Sequence, residues 1–156
     1  MAGCDTSELI LSPGYRRVWA ASVSEARAVF HAMGIYHQRL PGNADRFLVN
    51  NLENILRLPQ FLVQIITHLK QTKNGKTSML QDLENKVEET EVDFITGRIS
   101  SLGREFNVPT PVNDKLVELV KEATLKKQGS PKLLPQQLVE ACGLPASPNS
   151  SVCQIM

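Results

Sequence analysis

Apolar residues recur at helical intervals over most of the chain, and no strand-like alternation of useful length occurs. Steps of three and four residues place apolar side chains along one face of a helix. The first stripe follows Ser12-Pro13, a cap with proline at the first helical position, and ends before Gly34. This pattern predicts a long amphipathic helix that carries Val18, Ala21, Ser22, Ala26, Val29, Phe30 and Met33 on one side.

Shorter stripes predict further helices in the middle of the chain. One begins near Asn43 and is broken or restarted at Pro59, and a turn follows at residues 71–76. Thr77 or Ser78 caps a short helix after that turn. Thr90 caps another helix, which we expect to be buried along one side and central to the core; its stripe is Val92, Ile95, Ile99, Leu102 and Phe106.

Prolines divide the C-terminal part. The segment 107–111 cannot be helical, because each proline biases its predecessor towards extended geometry. A last core helix is predicted from about Val112 to Thr124. After Lys127 the composition turns rich in Pro, Ser and Gly, which predicts a mobile tail over residues 127–156 with at most one short helix, Gln136–Ala141. The sequence therefore predicts an all-α, multi-helix domain over residues 5–126 and a flexible C-terminal tail.

Composition narrows the class of protein. Seventeen basic and sixteen acidic residues give a formal charge of +1, and aromatics are few, so a nucleic-acid partner is not expected. No apolar run approaches the roughly 20 residues that span a bilayer, and Met1–Ile10 does not resemble a secretory signal. Cys4, Cys142 and Cys153 are odd in number and far apart, which indicates free thiols in a reducing compartment. We expect a cytoplasmic protein.

The sequence offers few residues for catalysis. Gly97 and Gly103 lie inside a helical pattern and not in a GxGxxG loop after a strand, so they favour close packing over phosphate binding. The three histidines, His31, His37 and His68, share no ligand spacing with each other or with a cysteine. The sequence therefore predicts no metal site, since structural zinc needs four converging ligands.

A hydroxyl and a carboxylate lie at the starts of two predicted helices. Ser78 is at a cap position, and Glu91 is in the first turn of the next helix. Capping and the helix dipole explain both residues without any ligand, because a carboxylate in the first turn is favoured by about 0.3–1 kcal/mol. A ligand-binding role remains the alternative on physical grounds alone.

Three segments in order resemble a known signature: TSMLQDL (Thr77–Leu83), TEVDFITG (Thr90–Gly97) and NVPTPVN (Asn107–Asn113). They are similar to the C-terminal helical domain of ketopantoate reductases (2-dehydropantoate 2-reductases), and the segment RRVWAASVSEARAVFHAMGI looks like the helix that precedes it. The resemblance spans residues 5–125. It implies a helical fold like those of ketopantoate reductases and 6-phosphogluconate-dehydrogenase-like proteins. In this family a Rossmann domain binds NADPH and the helical domain completes the substrate cleft.

The resemblance implies a substrate-binding role for Ser78, Glu91 and Asn74. Ser78 and Glu91 match the serine and glutamate that hold the hydroxy and carboxylate end of a small 2-keto or 2-hydroxy acid, and Asn74 approximately matches an asparagine before the serine. The interval from Ser78 to Glu91 is one residue longer than in such relatives. This insertion rotates the glutamate by roughly 100° about a helix axis unless the preceding loop absorbs it.

The family's catalytic lysine belongs to a helix that would lie before Met1. The resemblance thus implies no catalytic and no cofactor-binding residue in this chain, and NADPH would belong to a full-length form or to a complex with a Rossmann domain in trans. We expect the chain alone to be inactive as a reductase, with a homodimer or a Rossmann-domain partner as its assembly. A further hypothesis is that the chain is part of a longer, active NADPH-dependent enzyme.

A different class of function is a non-catalytic interaction protein that reuses the fold. The last four residues, Cys153–Met156, fit a prenylation box at Cys153. Gln154 is not aliphatic and no basic cluster adjoins it, so an ordinary exposed thiol is the alternative. Contact with a membrane is expected only if Cys153 is prenylated, and one lipid chain gives only marginal anchoring.

Overall fold

A computed structural model of the protein describes residues 6–36, 51–70, 92–127 and 129–145. Within these ranges the chain forms helices and no strand, which confirms the all-α prediction. The helices are, in chain order, α1 Thr6–Leu11, α2 Pro13–Ala32, α3 Leu52–Leu56, α4 Gln60–Lys70, α5 Thr96–Glu105, α6 Pro111–Lys126 and α7 Pro135–Ala141. The helix predicted from Asn43 is described only from Leu52, and the turn at 71–76 and the helix after Ser78 lie outside the described residues.

Helix α2 is the element on which most of the other helices pack. It contacts α1, α3, α5, α6 and α7, and its buried side chains lie on more than one side of the helix: Tyr15, Arg16, Val18, Ala20 and Val29. Pro13 occupies the first turn and Gly34 has a left-handed φ of +74° just beyond the last turn, as predicted. Ser12 lies at the cap position, but its side chain makes no cap hydrogen bond. A single long helix therefore provides the common surface for the described part of the fold.

The prediction that the helix after Thr90 is central to the core was wrong. Helix α5 begins only at Thr96, because the preceding residues form a turn in which the Gly97 amide donates to the Val92 carbonyl at 2.7 Å. Val92 and Leu102 are buried, but Ile95 is 60% exposed and Phe106 is also exposed. The apolar stripe predicted for this helix is therefore longer than the surface that α2 and α6 bury.

The N-terminus of α6 is capped by a carboxylate from α2. Pro111 in its first turn has no N–H, and the side chain of Thr110 makes no cap hydrogen bond. The backbone amides of Val112 and Asn113 donate instead to the two carboxylate oxygens of Glu25, at 2.8 and 2.9 Å. Glu25 thereby satisfies two of the amides that a helix start leaves unpaired, and its charge complements the helix dipole.

The side chain of Asn113 completes this contact between α2 and α6. Its Nδ2 donates to Glu25 at 2.6 Å and to the Ser22 carbonyl at 3.1 Å, while the Ser22 hydroxyl donates to its Oδ1 at 2.8 Å. Asn113 is only 2% exposed. Its amide is buried with its hydrogen bonds made on both sides, so burial of this polar group carries little penalty.

Arg16 ties three other helices to α2. Its guanidinium is buried and donates to the carbonyls of Ile10, Leu56 and Leu58 and to the side-chain oxygen of Gln60, at 2.8–3.3 Å. Burial lowers the pKa of Arg16 from its ordinary value, although an arginine stays protonated in proteins. The carbonyl oxygens lie at or near the ends of α1 and α3, where the helix dipole favours a cation.

The segment 129–145, which we call the strap, packs against α2. Its side chains Leu138, Val139 and Cys142 share one buried cluster with Tyr15, Val18 and Val112. The Tyr15 hydroxyl donates to the Leu133 carbonyl at 2.7 Å, and the Arg17 guanidinium donates to the Pro145 carbonyl. The predicted helix Gln136–Ala141 is confirmed within one residue.

The strap lies within the region that composition assigned to a mobile tail, yet it contributes to the core. The physical reason is that a few apolar side chains at suitable spacing are enough to fill the face of α2, whatever the share of Pro and Ser around them. Residues 146–156, including Cys153, lie outside the described part of the chain. Among the helices that the structure describes, none combines the length and the apolar character that crossing a bilayer requires.

Replacing Glu25 with alanine is expected to lower the free energy of unfolding by about 2–4 kcal/mol, because two backbone amides and the Asn113 amide lose a charged acceptor. Urea denaturation of Glu25→Ala measures the loss. Glu105→Ala is the control, since Glu105 is an exposed carboxylate at the end of α5. Equal stabilities for the two variants would contradict the capping role.

Leu138→Ala tests whether the strap belongs to the core. Leu138 is 5% exposed, so its truncation is expected to cost about 2–5 kcal/mol of unfolding free energy through lost burial and the cavity left behind. The matched control is Leu134→Ala, because Leu134 belongs to the same strap but is 60% exposed. Thermal unfolding that responds equally to both changes would show that α7 is not packed.

Candidate functional site

The residues to which the resemblance assigns substrate contacts cannot be placed. Asn74, Ser78 and Glu91 lie outside the described residues, and so does Cys153. Their binding and modification roles therefore stay predictions. What the structure does describe are two of the three signature segments, from Val92 to Gly97 and from Asn107 to Asn113, and the surface between the helices that follow them.

The NVPTPVN segment forms a tight joint between α5 and α6. Asn107 takes a left-handed φ of 55°, and the Val108 amide donates to the Gly103 carbonyl at 2.8 Å. A Cβ on Gly103 would lie 2.7 Å from both the Thr110 methyl group and the Val108 carbonyl oxygen. The packing role predicted for Gly103 is thus confirmed, since only a residue without a side chain allows this approach.

The end of the same segment is the part that Glu25 caps. Val112 and Asn113 supply the amides, and Asn113 also supplies the buried side-chain amide. The segment Asn107–Asn113 therefore packs closely on Gly103 and is hydrogen-bonded to Glu25 and Ser22. Sequence reasoning missed Glu25, because a glutamate inside an amphipathic stripe resembles any solvated side chain.

A groove of about 310 Å³ lies between α5 and α6. Its lining residues fall on one face of each helix or just before α5, and they are Asp93, Gly97, Ser100, Arg104, Asp114, Val117, Glu118 and Lys121. Sequence reasoning missed the groove as well, because polar residues at three- and four-residue steps look like an ordinary exposed face. Two of its lining residues, Asp93 and Gly97, belong to the signature segment Thr90–Gly97.

The charges along the groove pair with each other. Lys121 lies 2.8 Å from Asp93, and Arg104 lies 3.3 Å from Asp114. All four side chains are about half exposed or more, so each pair contributes little to stability, about 0–1 kcal/mol. Glu118 bonds to Lys115 at 2.8 Å. The groove therefore offers a polar, nearly charge-balanced surface to a ligand.

Ser100 is the exception to this pairing. It is 3% exposed, and its hydroxyl has no hydrogen-bond partner within the part of the chain that the structure describes. Because no described side chain hydrogen-bonds to this hydroxyl, none of the described groups is positioned to act as its base. Among the described residues, no group of three His, Cys, Asp or Glu side chains could hold a metal ion either. Ser100 fits close packing of α5 and α6 rather than nucleophilic catalysis.

The side chain of Cys142 is buried where the strap packs on α2. Burial raises the pKa of its thiol, and the charge of Glu25 raises it further, while Lys115 acts in the opposite direction. A thiol with a raised pKa is protonated at neutral pH, and the thiol form is a poor nucleophile. Cys142 therefore behaves as a small apolar core residue.

Ser100→Ala is expected to raise the free energy of unfolding by about 0.5–1.5 kcal/mol, because it removes an unpaired buried hydroxyl and improves helix propensity. Ser101→Ala, on the exposed face of α5, is the control and should show the propensity gain of about 0.5 kcal/mol alone. Chemical denaturation compares the two. A loss of stability in Ser100→Ala would show that the hydroxyl does have a partner in solution.

Comparison with known proteins agrees with the signature. The family described as "Ketopantoate reductase PanE/ApbA C terminal" matches residues 1–124. A 2-dehydropantoate 2-reductase of Lactococcus lactis subsp. lactis (strain IL1403) is 36% identical over 73 residues, which cover 42% of this chain and 23% of that protein. A 2-dehydropantoate 2-reductase of Archaeoglobus fulgidus is 46% identical over 50 residues, 32% of this chain and 17% of that protein.

The matched regions thus span less than a quarter of the length of these two relatives. No solved structure matches the chain. The family match contains all three signature segments and every helix from α1 to α5 and nearly all of α6, and it ends before the strap. On the extent of this match, the chain belongs to the ketopantoate reductase C-terminal domain family.

Proposed function

We propose that this chain is the substrate-contacting helical domain of a ketopantoate reductase-like, NADPH-dependent oxidoreductase, and that it does not transfer hydride by itself. The observation that carries the proposal is the family match over residues 1–124, which includes the segments of Ser78 and Glu91 in the family order. The relatives are named as 2-dehydropantoate 2-reductases, so the ligand proposed is a small 2-keto or 2-hydroxy acid.

The described structure supports this role through the packing of the residues that adjoin the signature segments. Val92, the residue after Glu91 in sequence, is 2% exposed and starts the turn into α5. At the other end, Glu25 and Gly103 fix the joint that leads into α6. Elements with locked side chains hold binding residues in place better than exposed loops do. Helix α5, which follows Glu91 in sequence, is therefore suited to form one wall of a pocket.

NADPH does not fit the residues of this chain. The sequence has no glycine-rich loop that follows a strand and opens a helix, which is the arrangement that holds a pyrophosphate. In the proposed enzyme, NADPH supplies the hydride from a Rossmann domain, and that domain is either joined to this chain or bound in trans. The part of this chain is to bind and orient the acid through Ser78 and Glu91, with Asn74 nearby in sequence.

Binding is tested with pantoate, the 2-hydroxy acid that corresponds to 2-dehydropantoate. At about 100 times its Kd a ligand adds about 2.7 kcal/mol to the free energy of unfolding, so the melting temperature should rise by several degrees. Glu91→Ala should remove the rise, while Glu89→Ala, which removes a charge two residues earlier, should keep it. If pantoate raised the melting temperature equally in both variants, Glu91 would not contact the ligand.

Catalysis is tested separately by following NADPH absorbance with ketopantoate and the purified chain. We expect no consumption of NADPH above the rate without protein, because the proton donor and the nucleotide site belong to another domain. Turnover that grows in proportion to the concentration of the chain would contradict the proposal that it is inactive alone. Heat-denatured chain serves as the control for contaminating reductases.

A further inference from the structure

We propose that the groove between α5 and α6 binds a short zwitterionic peptide, and that the hydroxyl of Ser100 bonds to the amide groups of that peptide. The groove has a volume of about 310 Å³, and its lining carries both charges as well as this buried serine. The inference is independent of the proposed function, because it uses neither Ser78 nor Glu91 and no 2-hydroxy acid. It rests on the hydroxyl, on the order of the charges and on the length of the groove.

Close packing explains the small size of Ser100 but not its hydroxyl. Ser100 lines the groove and is 3% exposed, and its hydroxyl has no hydrogen-bond partner among the residues that the structure describes. A buried hydroxyl without a partner lowers the stability of a fold, and native proteins contain few such groups. Since a hydroxyl both donates and accepts, an amide N–H or carbonyl of a ligand in the groove is a suitable partner.

The charged side chains of the groove form one ion pair at each end. Asp93 and Lys121 lie 2.8 Å apart at the end where α5 begins, and Arg104 and Asp114 lie 3.3 Å apart at the end where α5 finishes. All four side chains are about half exposed or more, so either pair opens at little cost when a ligand brings the same charges. A zwitterion preserves the near balance of charge in the groove, whereas a ligand with a single charge does not.

The direction of α5 orients the ligand in the groove. The helix dipole favours a carboxylate at a helix start and an ammonium group at a helix end. The peptide carboxylate therefore lies near Lys121 at the start of α5, and the ammonium group lies near Asp114 at its end. Glu118 lines the groove four residues after Asp114 on the same face of α6, so it gives the ammonium group a second carboxylate. Helix α6 runs the opposite way, but Glu25 already satisfies the amides at its start.

The length of the groove selects a peptide of about three residues. Along α5 the distance from Gly97 to Arg104 corresponds to about 10 Å of helix axis. Three extended residues span about 10 Å as well, so a tripeptide brings its two charged ends to the two ion pairs and its amides to Ser100. Gly97 keeps one end of the groove open, because a Cβ at this position would lie 3.3 Å from the Asp93 carboxylate.

The test is an NMR titration of the ¹⁵N-labelled full chain with triglycine. We expect saturable shifts of the backbone amides of Gly97, Ser100 and Lys121, which locate the peptide and give its Kd. Two matched peptides each lack one charge: N-acetyltriglycine keeps only the carboxylate, and triglycine amide keeps only the ammonium group. Each of them should bind about tenfold more weakly than triglycine, because each loses hydrogen bonds between charged groups.

Two results of this titration overturn the proposal. One is that triglycine causes no saturable shift, or shifts only amides outside α5 and α6. The other is that N-acetyltriglycine or triglycine amide binds as tightly as triglycine, since the groove would then not recognise a zwitterion.

Ser100→Ala separates binding from packing. The variant is expected to fold and to be more stable than the wild type, yet its Kd for triglycine should rise roughly fivefold because the hydroxyl no longer bonds to the peptide. Ser101→Ala, on the exposed face of α5, is the matched control and should leave the Kd unchanged. If Ser100→Ala bound triglycine as tightly as Ser101→Ala, the hydroxyl would serve no ligand and the proposal would fail.

Discussion

The carboxylate of Glu25 is the contact on which the joint between α2 and α6 depends. Prolines in the turn before α6 fix the backbone, but Pro111 removes one amide and Thr110 provides no cap. The helix therefore starts without a local partner for its next amides, and a side chain from α2 supplies it. Hydrogen bonds to a charged acceptor are stronger than those between neutral groups, and this carboxylate accepts three of them from α6, which explains why one side chain can hold the two helices together.

Helix α2 distributes its contacts by position along its length. Near its start, Tyr15 reaches the strap and the next residue, Arg16, reaches the ends of α1 and α3. One turn later the helix packs on Val112, and further on Glu25 reaches the amides of α6. The strap and the start of α6 thus share one buried cluster on α2, whereas Arg16 holds the ends of α1 and α3. The helix predicted from its apolar stripe alone would have had one buried side, whereas Arg16 and Ala20 are buried outside that stripe.

The sequence was sufficient where local signals decide the structure. Ser12-Pro13 and Gly34 gave the ends of α2, and the prolines between 107 and 111 placed the joint, because these residues act on their own backbone. It was insufficient where the partner is distant: Glu25 is 87 positions from Val112, and nothing near it in sequence indicates a helix start. For the same reason, nothing near Arg16 in sequence indicates that its guanidinium is buried against a carbonyl 40 residues away. The substrate contacts proposed at Ser78 and Glu91 depend on the resemblance, since local physics explains both residues equally well.

In this chain the family match and the buried core end at different residues. The family match ends at residue 124, within α6, whereas the buried cluster continues to Cys142. A fragment cut at the family boundary would leave Tyr15, Val18 and Val112 facing water and would take away the carbonyl that accepts from the Tyr15 hydroxyl. The folding unit of this chain therefore extends beyond the residues that match the family, and a domain trimmed to the matched residues would lose part of its core.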